Sequence, residues 1–343
     1  MKSAGRSLFR FVAAAVVLAG LSVAAPAMAD DRYAAIVMDA RTNEVLLEDQ
    51  ADEARFPASL TKMMTLYMLF EALERGDVTM DTRLTASRNA SRQPPSRLGL
   101  RRGDSITVDQ AIRALVVQSA NDVATMVGER LGGSEARFAA NMSARARELG
   151  MTDTRFANAS GLPDNRHRTP ARDMAVLSQA LWRDFPEHYH YFQTPSFAWR
   201  RGSGRNHNRL LGNVDGVDGI KTGYTRASGF NLATMAERNG RRVIVVVLGG
   251  ETAAARDAQV AYLVEGAYEE YARRDDSNSA TYANLPNRRL DVQIAPGTLN
   301  ANANRSPYST YQGMVVETMS PVLAPIDPVG QGDQGEGSEE DMQ

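Results

Sequence analysis

A serine and a lysine that could act together in nucleophilic catalysis stand three positions apart, as Ser59 and Lys62. Residues with this spacing share one face of a helix, about one turn from each other. A serine hydroxyl is a poor nucleophile until a base removes its proton. A lysine can be that base only where burial or a nearby cation lowers its pKa. The predicted helix, residues 59–75, is apolar on every face, which is typical of a buried helix.

A second pair, Ser119 and Asn121, lies where the predicted helix over residues 108–131 breaks after an apolar run. A hydroxyl and an amide two residues apart on such a connector can face one cleft. The alternative is a helix cap, because serine and asparagine are preferred capping residues.

A third group, Lys221, Thr222 and Gly223, lies in a predicted strand. Alternation along a strand would place Lys221 and Gly223 on one side of the sheet and Thr222 on the other. A glycine within a strand often marks the close approach of a ligand or another backbone. The alternative is an exposed edge strand with a solvated lysine.

The use of lysine favours function over these alternatives. Of 39 basic residues only three are lysine, namely Lys2, Lys62 and Lys221, and the last two fall inside the motifs above. Guanidinium stays protonated, whereas an ammonium group can be tuned to lose its proton. This argument is stronger for Lys62 than for Lys221, where a compact donor is sufficient.

The elements that must position these residues are strands at both ends of the folded part and helices between them. A hairpin is predicted around Asn239 and Gly240, because both residue types accept a positive φ. The arrangement predicts an α/β fold with an antiparallel sheet sandwiched by helices, whose terminal strands meet, plus a helical lobe. The predicted strands are 33–39, 44–49, 229–236 and 241–248, and the remaining predicted helices are 134–149, 170–184 and 253–272.

Composition and the termini limit the classes of protein. The 343 residues contain no cysteine, which excludes disulfides and a thiolate nucleophile, and the net charge of −2 argues against a nucleic-acid partner. Residues 1–29 have the pattern of a signal peptide, so we expect export to the periplasm. Residues 30–273 are the expected folded domain and 274–343 a mostly disordered acidic tail. We recognise no membrane anchor.

Taken in order, the three motifs resemble those of penicillin-binding proteins and serine β-lactamases. Within that superfamily the chain resembles the low-molecular-weight D-alanyl-D-alanine carboxypeptidases. The resemblance covers roughly residues 30–272 and implies a β-lactamase/transpeptidase-like fold, hydrolysis of peptidoglycan stem peptides and covalent inhibition by β-lactams. It implies no metal and no cofactor. The segments that carry it are 57–63, 119–122, 160–163, 171–175, 207–211 and 217–223.

The resemblance also implies roles in catalysis. Ser59 would be the nucleophile and Lys62 the base for acylation. Ser119 would relay a proton to the departing D-alanine. The backbone N–H groups of Ser59 and Tyr224 would hold the oxyanion.

The remaining implied roles concern substrate binding. Asn121 would hydrogen-bond the peptide chain of the substrate. Lys221 and Thr222 would hold the Ser119 network and the substrate carboxylate, and Gly223 would let the substrate lie against the strand. Arg256 would bind the terminal carboxylate, although a surface arginine at the start of a helix is equally ordinary.

Three other functions are compatible with parts of the pattern. A class A-like β-lactamase needs a further carboxylate to activate water, for which Glu135 and Glu148 are the available residues. A DD-endopeptidase would use the same site on cross-linked peptides. A non-catalytic wall-binding module would leave the two retained lysines unexplained.

Overall fold

The computed structural model describes residues 32–200 and 202–278. Its strands are β1 (Ala34–Asp39), β2 (Val45–Asp49), β3 (Arg83–Thr85), β4 (Ser105–Thr107), β5 (Ser196–Trp199), β6 (Gly202–Arg205), β7 (Val217–Thr225), β8 (Gly229–Arg238) and β9 (Arg241–Gly250). Its helices are α1 (Thr61–Glu74), α2 (Val108–Arg113), α3 (Asn121–Gly132), α4 (Glu135–Glu148), α5 (Ala171–Asp184), α6 (Pro186–Tyr189) and α7 (Ala253–Asn278). The predicted α/β class is confirmed.

The main sheet is five-stranded and antiparallel, in the order β2-β1-β9-β8-β7. Strands from the two ends of the domain meet as predicted, since Ala34 pairs with Leu248 and Asp39 with Val243. The predicted hairpin is also present, with Asn239 at φ 51° and Gly240 at φ 74°. This topology brings β7 to one edge of the sheet.

The core of the sheet is the aliphatic run 243–248 of β9. All six side chains are fully buried although they alternate between the two faces, because α5 and α7 both pack against β9. Burying each such side chain contributes roughly 1.5–3 kcal/mol. The sheet is therefore covered by helices on both faces and forms a rigid platform for β7.

The helical lobe contains α1 to α4, with a break between α2 and α3 as the sequence predicts. One turn of π-helix, Ala114–Gln118, leads to Ser119, which adopts a left-handed conformation with φ 54° and ψ 40°. Two small sheets, β3-β4 and β5-β6, are additions that the sequence patterns do not predict. Strands this short carry too few residues to show alternation.

The last helix is longer than predicted. α7 continues to Asn278 instead of ending near residue 272, and Arg274 bonds to Glu270 and Glu44, each at 2.8 Å. The expected signal peptide and nearly all of the expected acidic tail lie outside the described residues. Within the described part of the chain, no helix is both long enough and apolar enough to cross a membrane.

Candidate active site

Ser59 lies in a single 3₁₀ turn, Ala58–Leu60, that leads directly into α1. The sheet holds the residues before this turn, because the side-chain amide of Asn231 donates to Phe56 O at 2.9 Å and to Pro57 O at 3.0 Å. Ala58 has φ 50°, a left-handed conformation that is uncommon for alanine. The backbone at Ser59 is thus positioned by β8 as well as by its own helix.

Lys62 is fully buried, and its amine is surrounded by three oxygen atoms. Nζ lies 3.1 Å from Ser59 Oγ, 2.8 Å from Asn121 Oδ1 and 2.6 Å from Ser160 O. The amide and carbonyl oxygens can only accept hydrogen bonds, whereas the Ser59 hydroxyl can donate one. A neutral amine that gives its two N–H groups to Asn121 and Ser160 therefore directs its lone pair at the Ser59 hydroxyl.

The surroundings of Lys62 also favour the neutral amine. Its pKa is lowered well below the usual value, first by burial and then by the positive charge of Lys221, while Asp122 acts in the opposite direction. Removing an ammonium group from water disfavours its charged form. Lys62 is therefore suited to accept the proton of Ser59, as its spacing from Ser59 predicts.

Ser119 and Asn121 reach the same place from the helical lobe. The Asn121 amide is shared between Lys62 and the loop before it, because its Nδ2 donates to Pro94 O at 3.0 Å. Ser119 Oγ is buried and has no hydrogen-bond partner among the described residues. Neither side chain caps α3, whose N-cap is Ala120. Ser119 is the C-cap residue of the preceding π-helical turn, but through its backbone N–H and not its hydroxyl. A buried, unpaired hydroxyl is unfavourable for stability, so such a group warrants a functional explanation.

Lys221 lies on the edge strand β7 and is buried, so the solvated-lysine alternative is wrong. Its Nζ donates to Thr222 O at 3.0 Å. Burial and the nearby charge of Arg256 lower the pKa of Lys221 to about 7. Thr222 is buried beside it. The two lysines of the described chain therefore belong to one electrostatic cluster, in which the positive charge of Lys221 lowers the pKa of Lys62.

Gly223 brings β7 against the turn that carries Ser59. A β-carbon at Gly223 would stand 2.9 Å from Pro57 O and 3.1 Å from Ser59 N. The absence of a side chain at Gly223 therefore lets the strand approach the protein's own backbone at this turn, and its expected role beside a substrate stays a prediction. The next residue, Tyr224, is 55% exposed and stacks on Phe230 with ring centroids 4.2 Å apart.

Arg256 is buried at the start of α7, so it is not the ordinary surface arginine that the sequence allows. Its Nε donates to Asp257 Oδ1 at 2.8 Å, and its Nη1 donates to the Asn231 carbonyl. Its charge contributes to the lowered pKa of Lys221, which places it within electrostatic range of the site. The guanidinium is already engaged by protein groups.

Residues 160–163 are among the segments that carry the resemblance, but the sequence assigns no role to Ser160, whose carbonyl is the third partner of Lys62. Asn158 Oδ1 accepts from Gly161 N at 2.7 Å and from Ser160 N and Leu162 N at 3.2 Å. This turn holds Ser160 O toward Lys62. The motif Asn-x-Ser-Gly is a turn signal that could have identified the loop, but a backbone carbonyl carries no residue-type signal of its own.

A pocket of about 500 Å³ opens beside Ser59, between this loop and the end of β7. Its walls include Pro57, Gly161, Leu162, His167 and Thr225. The pocket borders the segment just before Ser59, whereas Ser59, Lys62, Ser119 and Lys221 are not among the residues that line it.

An antiparallel sheet covered by helices, a helical lobe and a serine–lysine pair between them define the architecture of penicillin-binding proteins and serine β-lactamases. The match to a protein-family description is more specific. Residues 21–252 match the D-alanyl-D-alanine carboxypeptidase family, peptidase family S11. The chain belongs to this family.

Curated relatives agree with this assignment. The chain is 32% identical over 252 residues to the D-alanyl-D-alanine carboxypeptidase DacF of Bacillus subtilis, covering 71% of this chain and 64% of the relative. It is 35% identical over 257 residues to DacC of Escherichia coli, covering 73% of this chain and 64% of the relative. The chain thus spans slightly less than two thirds of the length of these relatives.

Solved structures show the same fold. The carboxypeptidase DacD of Francisella tularensis matches with a TM-score of 0.66 and 30% identity, over 68% of this chain and 69% of that protein. Penicillin-binding protein D2 of Listeria monocytogenes, in its cefotaxime-bound form, matches with a TM-score of 0.63 and 33% identity, over 70% of this chain and 98% of that protein.

Proposed function

We propose that the chain is an exported serine D-alanyl-D-alanine carboxypeptidase of the periplasm. It removes the terminal D-alanine of peptidoglycan stem peptides through an acyl-enzyme on Ser59, and β-lactams acylate the same serine. The observation that carries this proposal is the set of contacts of Lys62. Of its three partners only the Ser59 hydroxyl can donate a hydrogen bond to the amine, since the other two are oxygen atoms that only accept. The family and the relatives support the substrate class.

In the first step, Lys62 takes the Ser59 proton while Oγ attacks the carbonyl carbon of the scissile D-Ala–D-Ala bond. The oxyanion forms between the N–H groups of Ser59 and Tyr224, an assignment supported by the close approach of β7 to the Ser59 amide. Such donors stabilise a transition state by roughly 3–4 kcal/mol each.

The C–N bond then breaks, and the departing D-alanine amine takes a proton that Ser119 relays. The unpaired buried hydroxyl of Ser119 supports this role. Water next hydrolyses the ester, which releases the shortened peptide and returns the proton to the Ser59 oxygen. Every reacting group in these steps belongs to the protein, the peptide or water.

The cations around the leaving group form the proposed binding site for the terminal carboxylate of the substrate. Lys221, with Thr222, holds the terminal carboxylate, and Arg256 strengthens the positive potential from behind it. Asn121 Nδ2 donates one of its two N–H groups to Pro94 O, so the second is available to the peptide chain. Since Asp257 already pairs with Arg256, we assign Arg256 a long-range electrostatic role.

Two carboxylates considered for a β-lactamase lie elsewhere in the fold. Glu148 pairs with Arg145 at 2.8 Å on α4. Glu135 bonds with Asn89 and with the Ala159 amide at 3.1 and 3.4 Å. Neither contacts Ser59, Lys62 or Ser119, so the acyl-enzyme formed with a penicillin is expected to be long-lived.

The test is to incubate the purified protein with a pentapeptide ending in D-Ala-D-Ala and, separately, with a cross-linked dimer. We expect release of D-alanine from the pentapeptide and a stoichiometric penicillin adduct by mass spectrometry. Ser59→Ala should abolish both, whereas the exposed-site control Ser203→Ala should change neither. If the protein cleaves only the dimer, it is a DD-endopeptidase and this proposal is wrong. If it turns over penicillin rapidly, it is a β-lactamase.

A further inference from the structure

A strongly basic loop lies next to the proposed active site. From residue 82 to residue 103 the chain contains six arginines and no aspartate or glutamate, in a protein whose net charge is −2. Five of the six lie in residues 88–102, and all five are exposed: Arg88, Arg92, Arg97, Arg101 and Arg102. We call residues 88–102, which carry these five arginines, the arginine loop.

The arginine loop is bonded directly to the catalytic segment. The Asn121 backbone N–H donates to Ser96 O at 2.7 Å, and the Asn121 side chain donates to Pro94 O. The Asp122 carboxylate accepts from the next backbone amides, those of Leu98, Gly99 and Leu100, at 2.9 to 3.2 Å. In sequence, the exposed Arg97 lies between these two sets of anchors, and its Nη1 donates to Gln93 O at 2.9 Å.

Most of this charge is not neutralised within the protein. Among the described residues, no carboxylate lies within ion-pair distance of Arg88, Arg92, Arg97 or Arg102. Asp104 bonds to the Arg101 backbone, but its carboxylate also pairs with Arg200 at 2.6 Å. The nearby Glu129 and Glu135 accept hydrogen bonds from Ser87 and Asn89.

A neighbouring hairpin extends the basic surface. The exposed Arg200 follows directly after β5, and the exposed Arg205 ends β6. Arg200 reaches Asp104 at the end of the arginine loop, and a β-carbon at Gly204 would stand 2.9 Å from the side chain of Gln118, just before Ser119. The hairpin therefore packs against the segment that precedes Ser119 and adds cations on that side of the site.

We propose that the arginine loop, with Arg200 and Arg205, binds the carboxylates of polymeric peptidoglycan beside the stem peptide being cleaved. The proposal rests on the proposed function, which makes peptidoglycan the substrate. Stem peptides carry free carboxylates at repeated intervals along the polymer, and guanidinium groups bind carboxylates in bidentate pairs. A soluble pentapeptide fills the cleft without reaching the whole surface.

An anionic membrane is the less suitable partner for this surface. Binding at a membrane interface needs exposed apolar side chains in addition to cations. Tyr224 is the one large hydrophobic residue exposed among those that the structure describes, and it lies on β7 and not in the arginine loop. The surface thus has the charge for a polyanion without the apolar contacts for lipid.

The experiment compares two variants that lose the same charge at different places. The first replaces Arg88, Arg92, Arg97 and Arg102 with glutamine. The matched control replaces four exposed arginines at the end of α3, on α4 and after it: Arg130, Arg137, Arg147 and Arg155. Each protein is assayed for binding to purified sacculi at low and at physiological salt, for D-alanine release from sacculi and from pentapeptide, and for penicillin acylation.

We expect the first variant to bind sacculi at least about tenfold more weakly at low salt and to lose most of the salt dependence, because exposed ionic contacts are screened. Its D-alanine release from sacculi should fall in parallel, with pentapeptide release and penicillin acylation within about twofold of the parent. The control variant should match the parent throughout. The parent should bind sacculi whose carboxylates are converted to amides as weakly as the first variant binds untreated sacculi.

Equal losses in both variants, or unchanged sacculus binding in the first, would overturn the proposal, as would stronger binding to anionic phospholipid vesicles than to sacculi. Normal penicillin acylation shows that the first variant is folded. Sacculus binding is measured without turnover. If the parent fails to release D-alanine, the proposed function is wrong, whereas the binding comparison still tests the role of the arginine loop.

Discussion

Gly161 lies so close to Ala58 that a β-carbon on the glycine would stand 1.8 Å from the Ala58 carbonyl oxygen. Both residues have a positive φ, 83° for Gly161 and 50° for Ala58. Gly161 follows Ser160, whose carbonyl accepts from Lys62, and Ala58 precedes Ser59, the proposed nucleophile. A single backbone contact therefore couples the position of the proposed base, Lys62, to the position of the Ser59 hydroxyl.

Gly161→Ala should separate these two backbones and slow penicillin acylation by at least about tenfold, because a misplaced nucleophile loses the geometry that the reaction needs. Strained backbone of this kind also destabilises a protein by about 1–3 kcal/mol. The matched control is Gly150→Ala, which has φ 92° but nothing within 4 Å of the new β-carbon. Equal loss of acylation in both variants would show that the contact with Ala58 does not position Ser59.

Lys62→Arg should be as damaging as Lys62→Ala in the rate of labelling by a fluorescent penicillin. A guanidinium stays protonated and cannot accept the Ser59 proton, unlike the neutral amine of Lys62. Its larger head group also has to fit where Nζ now contacts Asn121 and Ser160. Near-normal labelling of the arginine variant would refute the role of Lys62 as the base.

The parts of the site that sequence reasoning predicts are those in which residue type and short spacing carry the signal. Ser59 and Lys62 meet because a helix brings positions three apart together, and the structure places them 3.1 Å apart. The sheet is predictable for a similar reason, since the run 243–248 and the Asn239–Gly240 turn are local patterns. The meeting of β1 with β9 then follows from the order of the strands.

The parts that could not be predicted depend on backbone atoms and on long-range packing. Ser160 O holds Lys62 from 98 residues away in sequence, and any residue type could supply that carbonyl. The close approach of Gly223 to the turn at Pro57 is likewise a long-range contact that the strand pattern does not reveal. Burial of Arg256 depends on Asp257 and on a strand, β8, that the sequence around it does not reveal.

His167 should make the stability of the domain depend on pH below 6.5. It is buried under α1, with Nε2 2.8 Å from Thr61 Oγ1, and burial lowers its pKa from 6.5 to about 4. Between these values the unfolded chain binds a proton that the folded protein does not, so stability falls as the pH falls through this window. The loss attributable to His167 is about 3 kcal/mol.

Urea unfolding of the parent and of His167→Gln at pH 7.5, 5.5 and 4.5 tests this. Glutamine keeps an amide for Thr61 but does not titrate, so the difference in unfolding free energy between the two proteins should shift in favour of the variant as the pH falls. A constant difference across the three pH values would contradict the assignment. His190, which is exposed, provides the control as His190→Gln.

Lys221→Met should move the acidic limb of the penicillin acylation profile to higher pH. The charge of Lys221 helps to keep the pKa of Lys62 low, so its removal raises the pKa of Lys62, and the base becomes protonated at a higher pH than in the parent. The pKa of Lys221 is itself about 7, so its charge is present mainly below neutrality and the rate loss should be greatest there. Stopped-flow acylation between pH 5 and 9 measures this, with Lys221→Arg as the control that retains the charge. If the acidic limb moves equally in both variants, the change follows from altered packing at β7, and the charge of Lys221 does not tune Lys62.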